Sequence, residues 1–228
     1  MTPRLGVLGG TFDPIHVGHL DAAGAARSAM AFTDVLFVPS YDPPHRSVDP
    51  RATGFHRFAM LALATTSCPS YRLSDMELVR GGHSYTSDTL RTLHTDGWQP
   101  WQIFFIIGTD AFAEIAAWHE FPSVLDLAHF VVVARPGTPF DHAITRSPEL
   151  KTRMRSAGAY AGEAGPTGLF VIEAATRDVS STLIRQRLRA RQPIDDLVPS
   201  AVARYIATHH LYEVEDELHG SNTNQHRT

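Results

Sequence analysis

The chain has 228 residues, a formal net charge of −4 at pH 7 and a single cysteine, Cys68. This length favours one α/β domain, and one cysteine excludes an intramolecular disulfide framework. The net negative charge disfavours a general nucleic-acid binder. No segment approaches the roughly 18 uncharged apolar residues of a membrane span, and no signal peptide is recognisable. We therefore expect a cytoplasmic protein without nucleic-acid or membrane partners.

Short apolar segments alternate with helix-like segments along the chain. The strand-like runs are 4–8, 35–38, 103–107, 130–133 and 169–172, and the helix-like stretches are 16–30, 55–66, 86–94, 110–118 and 182–189. This alternation favours a doubly wound parallel sheet, which binds ligands at the carboxyl ends of its strands. We place one domain at 1–214, with a surface loop at 156–168, and interpret the polar residues 215–228 as a disordered tail.

The most informative segment follows the first strand and opens the first helix. It reads Gly9-Gly10-Thr11-Phe12-Asp13-Pro14-Ile15-His16-Val17-Gly18-His19. Glycines let a ligand approach the backbone closely, and a helix N-terminus favours phosphate. Two histidines three residues apart project from one face of a helix, where they can donate to a polyphosphate. Either histidine alone is explained as well by a polar residue near a helix start, but the pair in this setting favours a phosphate site.

This segment resembles the His-x-Gly-His signature of the nucleotidyltransferase superfamily, in the long form of its adenylyltransferases. The resemblance implies a Rossmann-like sheet of nucleotidyltransferase type, with His16 and His19 on the ATP phosphates and Mg²⁺ assisting. It also implies direct attack of a substrate phosphate on the α-phosphorus. The neighbouring candidates for ATP contacts are Gly9, Gly10, Thr11, Phe12 and Gly18. No carboxylate or cysteine cluster suggests an all-protein metal cage, so we expect Mg²⁺ to arrive with ATP.

Two later segments resemble those of nicotinate-nucleotide adenylyltransferases. Pro43-Pro44-His45-Arg46 resembles their Pro-Pro-His-Lys segment, and His45 and Arg46 are candidate phosphate donors that bind nicotinate mononucleotide. Arginine and lysine are not equivalent at a phosphate, and on local grounds an ordinary surface loop explains the segment equally well. The segment from Ser84 to Leu90 resembles their Ser-Tyr-Thr-x-Asp-Thr-Leu, and the family's Tyr and Thr amides correspond to Tyr85 and Thr86. By this resemblance the two amides contact the nicotinate carboxylate. Amides at a helix start prefer an anion to a carboxamide, but a simple capped helix explains the pattern too.

The remaining candidates follow later strands. Gly108, at which a buried strand breaks, is a candidate ATP contact. Asp110, just after it, either caps a helix or binds ribose hydroxyls, which is its role by resemblance. Trp118 is either a half-buried core aromatic or a platform for the pyridine ring. Arg135 closes another strand and is a candidate nucleotide contact.

A last motif, from Asp178 to Arg185, resembles the family's Ile-Ser-Ser-Thr-x-Ile-Arg with Val179 for the first Ile. Hydroxyl residues at a helix start cap the helix and also bind phosphate, which makes Ser181 and Thr182 candidate ATP contacts. Arg185 lies three residues after Thr182 and can reach the same anion. A purely structural capping box is a weaker explanation of this motif, because no acidic residue or Gln lies three residues after Ser180, Ser181 or Thr182.

The resemblance extends from about residue 5 to 212, where 198–212 resemble the family's C-terminal helix. It implies that the chain transfers the adenylyl group of ATP to nicotinate mononucleotide, with His16, His19 and Arg185 as the catalytic residues. The rivals are an adenylyltransferase for phosphopantetheine or a flavin nucleotide, and a sensing module that binds nucleotide without turnover. An aminoacyl-tRNA synthetase fragment should also carry a lysine-rich second phosphate loop. It is disfavoured because Lys151 is the only lysine of this chain. The pattern leaves open whether the chain forms a homo-oligomer.

Overall fold

The computed structural model of the protein describes residues 2–44, 50–134, 147–156 and 164–213. Within these ranges seven strands form one parallel sheet in the order β3-β2-β1-β4-β5-β7-β6. The strands are β1 Leu5–Gly10, β2 Asp34–Pro39, β3 Tyr71–Leu73, β4 Ile103–Gly108, β5 His129–Ala134, β6 Met154–Arg155 and β7 Leu169–Glu173. The predicted doubly wound α/β fold is confirmed.

Helices cover both faces of this sheet. In the described part of the chain they are α1 Val17–Met30, α2 Gly54–Thr65, α3 Met76–Arg80, α4 Thr86–Thr95, α5 Thr109–Ala113, α6 Pro148–Arg153, α7 Ser181–Arg189 and α8 Ser200–Thr208. Short 3₁₀ turns lie at Pro100–Gln102, Ile115–Ala117 and Ser123–Asp126. No helix among the described residues has the length and apolar character needed to cross a membrane.

The central strands are buried on both faces, which explains their uninterrupted apolar sequences. In β4, Phe104 and Ile106 belong to the core cluster that includes residues of α1, α2, α7 and α8. The alternating residues Phe105 and Ile107 belong to a second cluster, which includes residues of α4 and α5. Side chains alternate between the faces of a strand, so one short run supplies both halves of the core.

The helix predicted for 110–118 is interrupted. Helix α5 ends at Ala113, and a 3₁₀ turn follows over Ile115–Ala117 before Trp118 becomes extended. The aromatic and aliphatic residues here are spaced by three: Phe112, Ile115 and Trp118. A helix with three residues per turn aligns residues that are spaced by three. In an α-helix, with about 3.6 residues per turn, Trp118 would instead be rotated away from Phe112. The tighter turn therefore brings Trp118 onto the core, where its ring packs edge-on against Phe105.

Two predictions of organisation fall at the edge of the described residues. Residues 214–228 lie outside them, so the single domain at 1–214 and the disordered tail stay predictions. The loop predicted for 156–168 includes residues 157–163, which also lie outside them.

A buried histidine in the sheet predicts a pH-dependent stability. His129 is 2 % exposed, stacks on Phe104 and accepts a hydrogen bond at Nδ1 from the Gly168 amide, 2.8 Å away. Burial lowers the pKa of His129 to about 4. The unfolded chain therefore takes up this proton near pH 6.5, before the folded chain does, and stability falls as the pH drops through that window.

We expect acidification from pH 8 to 5 to cost about 2 kcal/mol through His129 alone. Urea unfolding of wild type and His129→Asn across pH 5 to 8 measures this cost, because Asn retains an acceptor near the position of Nδ1. The variant's unfolding free energy should fall less steeply below pH 6.5, and the two curves should run parallel above pH 7. Equal slopes below pH 6.5 would contradict the assignment.

Candidate active site

The candidate site lies where the order of the sheet reverses. Strand β1 pairs with β2 on one side and β4 on the other, and the carboxyl ends of β1 and β4 border an open cleft. Its volume of about 650 Å³ suits a small-molecule site. The predicted contacts that line it are Gly9, Gly10, Thr11, His16, Gly18, His19, Thr86, Gly108, Asp110 and Trp118. The sheet thus brings ten of the candidates together.

Gly9 and Gly10 are the last two residues of β1, so the strand ends later than the sequence predicts. His16 is the extended residue that caps α1, and α1 begins at Val17. The imidazoles of His16 and His19 stack with their centroids 3.6 Å apart. The predicted pairing of the two histidines at the start of the first helix is therefore present, with one in the cap and one in the first turn.

The hydrogen bonds at this cap fix the form of one ring. The His16 amide donates to Nδ1 of His19 at 3.2 Å, so a neutral His19 carries its proton on Nε2. His19 also lines the cleft. The backbone therefore prepares this imidazole as a hydrogen-bond donor through Nε2.

His16 differs from its neighbour in being almost fully buried. Burial lowers the pKa of His16 to about 4, against a smaller opposite effect of Asp21. The ring is therefore neutral near pH 7. Its Nδ1 is buried and makes no hydrogen bond to the described residues. Because buried polar atoms are seldom left unpaired, a polar group of a bound ligand is a natural partner for this atom.

Two small features support the histidine pair from behind. The buried Phe12 ring meets His19 edge-on, with centroids 5.0 Å apart. A Cβ on Gly18 would lie 3.2 Å from both the Arg177 carbonyl oxygen and His16 Nδ1. Gly18 lines the cleft, and it also has a packing reason that the sequence did not reveal: it lets the segment before α7 approach α1.

A buried carboxylate organises the loop between β1 and α1. Asp13 is 3 % exposed and accepts from the Arg51 amide at 2.8 Å, the Ala52 amide at 3.0 Å and the Tyr212 hydroxyl at 2.8 Å. Arg185 lies 3.7 Å from the same carboxylate. Burial, and then Asp13, raises the pKa of the Tyr212 phenol, so this hydroxyl stays protonated and donates. Asp13 therefore ties the loop to three distant parts of the chain.

The motif at the start of α7 is placed beside this loop rather than among the residues that line the cleft. Ser181 Oγ donates to the Pro14 carbonyl at 2.9 Å. The Arg185 guanidinium donates through Nη1 to the Asp13 carbonyl at 2.6 Å and through Nη2 to Thr182 at 3.2 Å. Ser180, which lines the cleft, is the residue that caps α7 by accepting from the Leu183 amide.

The other end of the cleft is formed by the start of α4 and the turn after α5. Thr86 and Trp118 line it, and Tyr85 caps α4 without lining it. The Tyr85 ring stacks on His119 with centroids 4.1 Å apart, which joins the two segments. The Tyr85 amide donates to the His83 carbonyl at 3.2 Å, so an anion that binds this amide must replace that contact.

The sequence did not point to two residues that line the cleft, Glu77 and Arg177. Glu77 on α3 is buried, and this burial raises the pKa of its carboxyl against the effect of hydrogen bonds from Thr89 and Ser84. Arg177 binds Asp21 through Nε at 2.8 Å and Nη2 at 2.7 Å, and its guanidinium lowers the pKa of that carboxyl. Neither residue belongs to a recognisable motif. An acidic residue in the apolar segment Met76–Val79 was the one available signal for Glu77.

Three candidates, His45, Arg46 and Arg135, lie outside the described residues. Among the described residues, no three His, Cys, Asp or Glu side chains come together in a way that could hold a metal ion. The expectation that Mg²⁺ is not held by an all-protein cage stays a prediction.

Comparison with known proteins identifies the family. Residues 7–187 match the cytidylyltransferase-like family. The chain is 38 % identical over 209 residues to a probable nicotinate-nucleotide adenylyltransferase of Moorella thermoacetica, covering 92 % of this chain and 91 % of the relative. It is 40 % identical over 215 residues to the probable enzyme of that name from Corynebacterium kroppenstedtii, with the same coverage of both chains.

A solved structure shares the fold. Plasmodium falciparum nicotinic acid mononucleotide adenylyltransferase, complexed with NaAD, aligns with a TM-score of 0.69 and 16 % identity over 92 % of this chain and 98 % of the other. The level of identity to the bacterial relatives, across nearly their whole length, places this chain within their family. The chain belongs to the cytidylyltransferase-like family and, within it, to the nicotinate-nucleotide adenylyltransferases.

Proposed function

We propose that this chain transfers the adenylyl group of ATP to the phosphate of nicotinate mononucleotide, giving nicotinate adenine dinucleotide and pyrophosphate. The observation that carries the proposal is the two-ended cleft at the reversal of the sheet. One end has the stacked histidines at the start of α1, and the other has Thr86 and Trp118. Its volume of about 650 Å³ suits two substrates placed end to end.

The reaction is an in-line displacement. A phosphate oxygen of the mononucleotide attacks the α-phosphorus of ATP, and the bond from that phosphorus to the bridging oxygen of pyrophosphate breaks. The attacking phosphate is already ionised, so the chain needs no general base. Positioning and neutralisation of charge carry the catalysis.

At the ATP end, Gly9, Gly10 and Thr11 let the phosphates approach the backbone, and Phe12 supports His19 from below. His19 donates from Nε2 to the triphosphate, and the unpaired Nδ1 of His16 gains a partner there. Ser181 and Arg185 at the start of α7 brace the loop from outside the cleft lining, with Thr182 bonded to the Arg185 guanidinium, and the charge of Arg185 stabilises the leaving pyrophosphate through space. Asp110 binds the ribose, and Arg135 is a further nucleotide contact.

At the acceptor end, the pyridine ring stacks on Trp118, and the amides of Tyr85 and Thr86 bind its carboxylate. His45 and Arg46 bind the phosphate of the mononucleotide. Because amide donors prefer an anion, the site favours nicotinate over nicotinamide mononucleotide.

An enzyme of this family that uses ATP implies a divalent metal ion, and we propose that it is Mg²⁺. The acidic side chains that line the cleft are Glu77, Asp110 and Asp178. In the part of the chain that the structure describes, no such group of three side chains could hold a metal ion, and we propose an ion carried by the triphosphate and water. MgATP is therefore the substrate form.

Direct transfer without a covalent enzyme intermediate can be tested by the exchange of labelled pyrophosphate into ATP. We expect labelled pyrophosphate to enter ATP only when the dinucleotide or nicotinate mononucleotide is present, because pyrophosphate needs the adenylylated acceptor to reverse the reaction. Mass spectrometry identifies the product in the forward direction. Exchange with ATP alone would contradict direct transfer, and a product from phosphopantetheine or a flavin nucleotide but not from nicotinate mononucleotide would replace the acceptor.

Trp118→Ala should selectively weaken the binding of the acceptor, nicotinate mononucleotide. Stacking on an aromatic ring is worth about 1–3 kcal/mol for a nucleobase, so we expect KM for nicotinate mononucleotide to rise roughly 5- to 150-fold. KM for ATP should change little, as steady-state kinetics with each substrate varied will show.

Trp98→Ala is the matched control, because Trp98 packs against the same core cluster and does not line the cleft. It should leave both KM values near wild type. Equal rises in the two KM values for Trp118→Ala would contradict the stacking role.

A further inference from the structure

Glu77 is a buried carboxylate at the acceptor end of the cleft that the proposed reaction does not use. It is 6 % exposed, lies on the short helix α3 and lines the cleft. Burying a charged group is costly unless hydrogen bonds compensate. The partners of this carboxylate therefore indicate what it does.

Both partners are hydroxyls that flank the start of α4. Thr89 donates to Oε1 of Glu77, and the Ser84 hydroxyl faces the same carboxylate and lowers its pKa. Between them in sequence lie Tyr85 and Thr86, whose amides we assign to the nicotinate carboxylate. One side chain thus holds the segments before and after the acceptor-binding turn.

Ser84 also connects this turn to the loop after β2. Its Oγ accepts from the Tyr41 amide at 2.8 Å, and its amide donates to the Asp42 carbonyl at 2.8 Å. His83 Nδ1 lies 2.7 Å from the Asp42 carboxylate. The loop after β2 and the start of α4 are therefore one connected wall, with Glu77 behind it.

We propose that Glu77 is a positioning residue for the acceptor mononucleotide: by holding Ser84 and Thr89 it fixes the backbone of Tyr85 and Thr86 and the loop at Tyr41. This inference rests on the proposed function of the cleft. A purely structural role would stabilise the fold and affect both substrates alike. A positioning role affects the acceptor and leaves ATP binding at the opposite end unchanged.

The test compares Glu77→Leu and Glu77→Gln. Leucine removes both hydrogen-bond acceptors, whereas glutamine keeps an oxygen that can accept from Ser84 and Thr89. For Glu77→Leu we expect KM for nicotinate mononucleotide to rise roughly tenfold or more, with KM for ATP within about twofold of wild type. The preference for the acid over the amide mononucleotide, measured as a ratio of kcat/KM values, should fall as well. Glu77→Gln should restore KM to within about threefold of wild type.

Milder variants keep the test decisive if Glu77→Leu does not fold. Thr89→Val removes one of the two donors without changing side-chain shape, and we expect about a fivefold rise in KM for the acceptor. Thr65→Val is the matched control: Thr65 is also buried on a helix, but its hydroxyl donates to the Leu61 carbonyl in α2. That variant should leave both KM values unchanged.

Three results would overturn the inference: parallel rises in KM for both substrates, no change in acceptor KM for folded Glu77→Leu, or Glu77→Gln as impaired as Glu77→Leu. A wild-type protein that does not use nicotinate mononucleotide would instead refute the proposed function. The same variants then test Glu77 with whichever acceptor turns over.

Discussion

We expect His19→Ala to lower kcat for dinucleotide formation by roughly 10²- to 10³-fold, the usual effect of removing one prearranged donor to developing charge. The structure supplies the physical reason. The His16 amide occupies Nδ1 of His19, so Nε2 carries the proton of the neutral ring in a cleft-lining side chain. The lost hydrogen bond should cost only about 1 kcal/mol of stability, a shift in Tm of about 2–4 °C.

His56→Ala is the matched control for this experiment. His56 occupies the same third position of its helix, α2, as His19 does in α1, but its ring contacts the Tyr205 hydroxyl at 3.0 Å and does not line the cleft. The control should keep kcat near wild type. If His19→Ala loses activity only in proportion to its unfolded fraction, His19 has no catalytic role.

Asp13→Asn should be strongly destabilising. One carboxylate accepts three hydrogen bonds and lies beside the Arg185 guanidinium. An Asn side chain turns an NH₂ group toward at least one of these donors and removes the charge that faces Arg185. Breaking such a buried arrangement costs roughly 3–5 kcal/mol, which for a chain of this size lowers Tm by about 6–20 °C. Urea and thermal unfolding measure the loss.

Asp34→Asn provides a surface comparison. Asp34 pairs with the exposed Arg72 at 2.9 Å, and exposed pairs contribute about 1 kcal/mol or less. Tyr212→Phe removes a single hydrogen bond of the Asp13 group and should fall between the two. A free energy of unfolding for Asp13→Asn within about 1 kcal/mol of wild type would show that Asp13 does not organise the loop.

The five longer strands of the sheet were predictable because they are buried on both faces. The runs that became β1, β2, β4, β5 and β7 are continuous apolar segments in the sequence. The missed strands are edge strands: β3 has three residues with Arg72 exposed, and β6 has two residues. Such short edges need little apolar sequence. The prediction of one continuous helix over 110–118 was wrong, because Phe112, Ile115 and Trp118 are spaced by three, which suits a 3₁₀ turn.

The site was predictable where chemistry is carried by consecutive residues. The segment from Gly9 to His19 announces a phosphate site through its own glycines and histidines. Glu77 was not predictable because it belongs to no recognisable motif, although its partner Thr89 lies only 12 positions away. The anchoring role of Asp13 was not predictable because its partners lie far away in the sequence. Asp13 meets Tyr212 across 199 positions, and Arg185 meets Asp13 across 172. Only the folded chain brings such pairs together.

The most direct test of the central claim is dinucleotide formation by the purified protein with MgATP and either nicotinate or nicotinamide mononucleotide. We predict nicotinate adenine dinucleotide and pyrophosphate in equal amounts from the acid, and much slower turnover of the amide. Comparable rates with both would retain the reaction and refute the role of the Tyr85 and Thr86 amides. A folded protein that binds ATP but forms no dinucleotide from nicotinate mononucleotide would contradict the account.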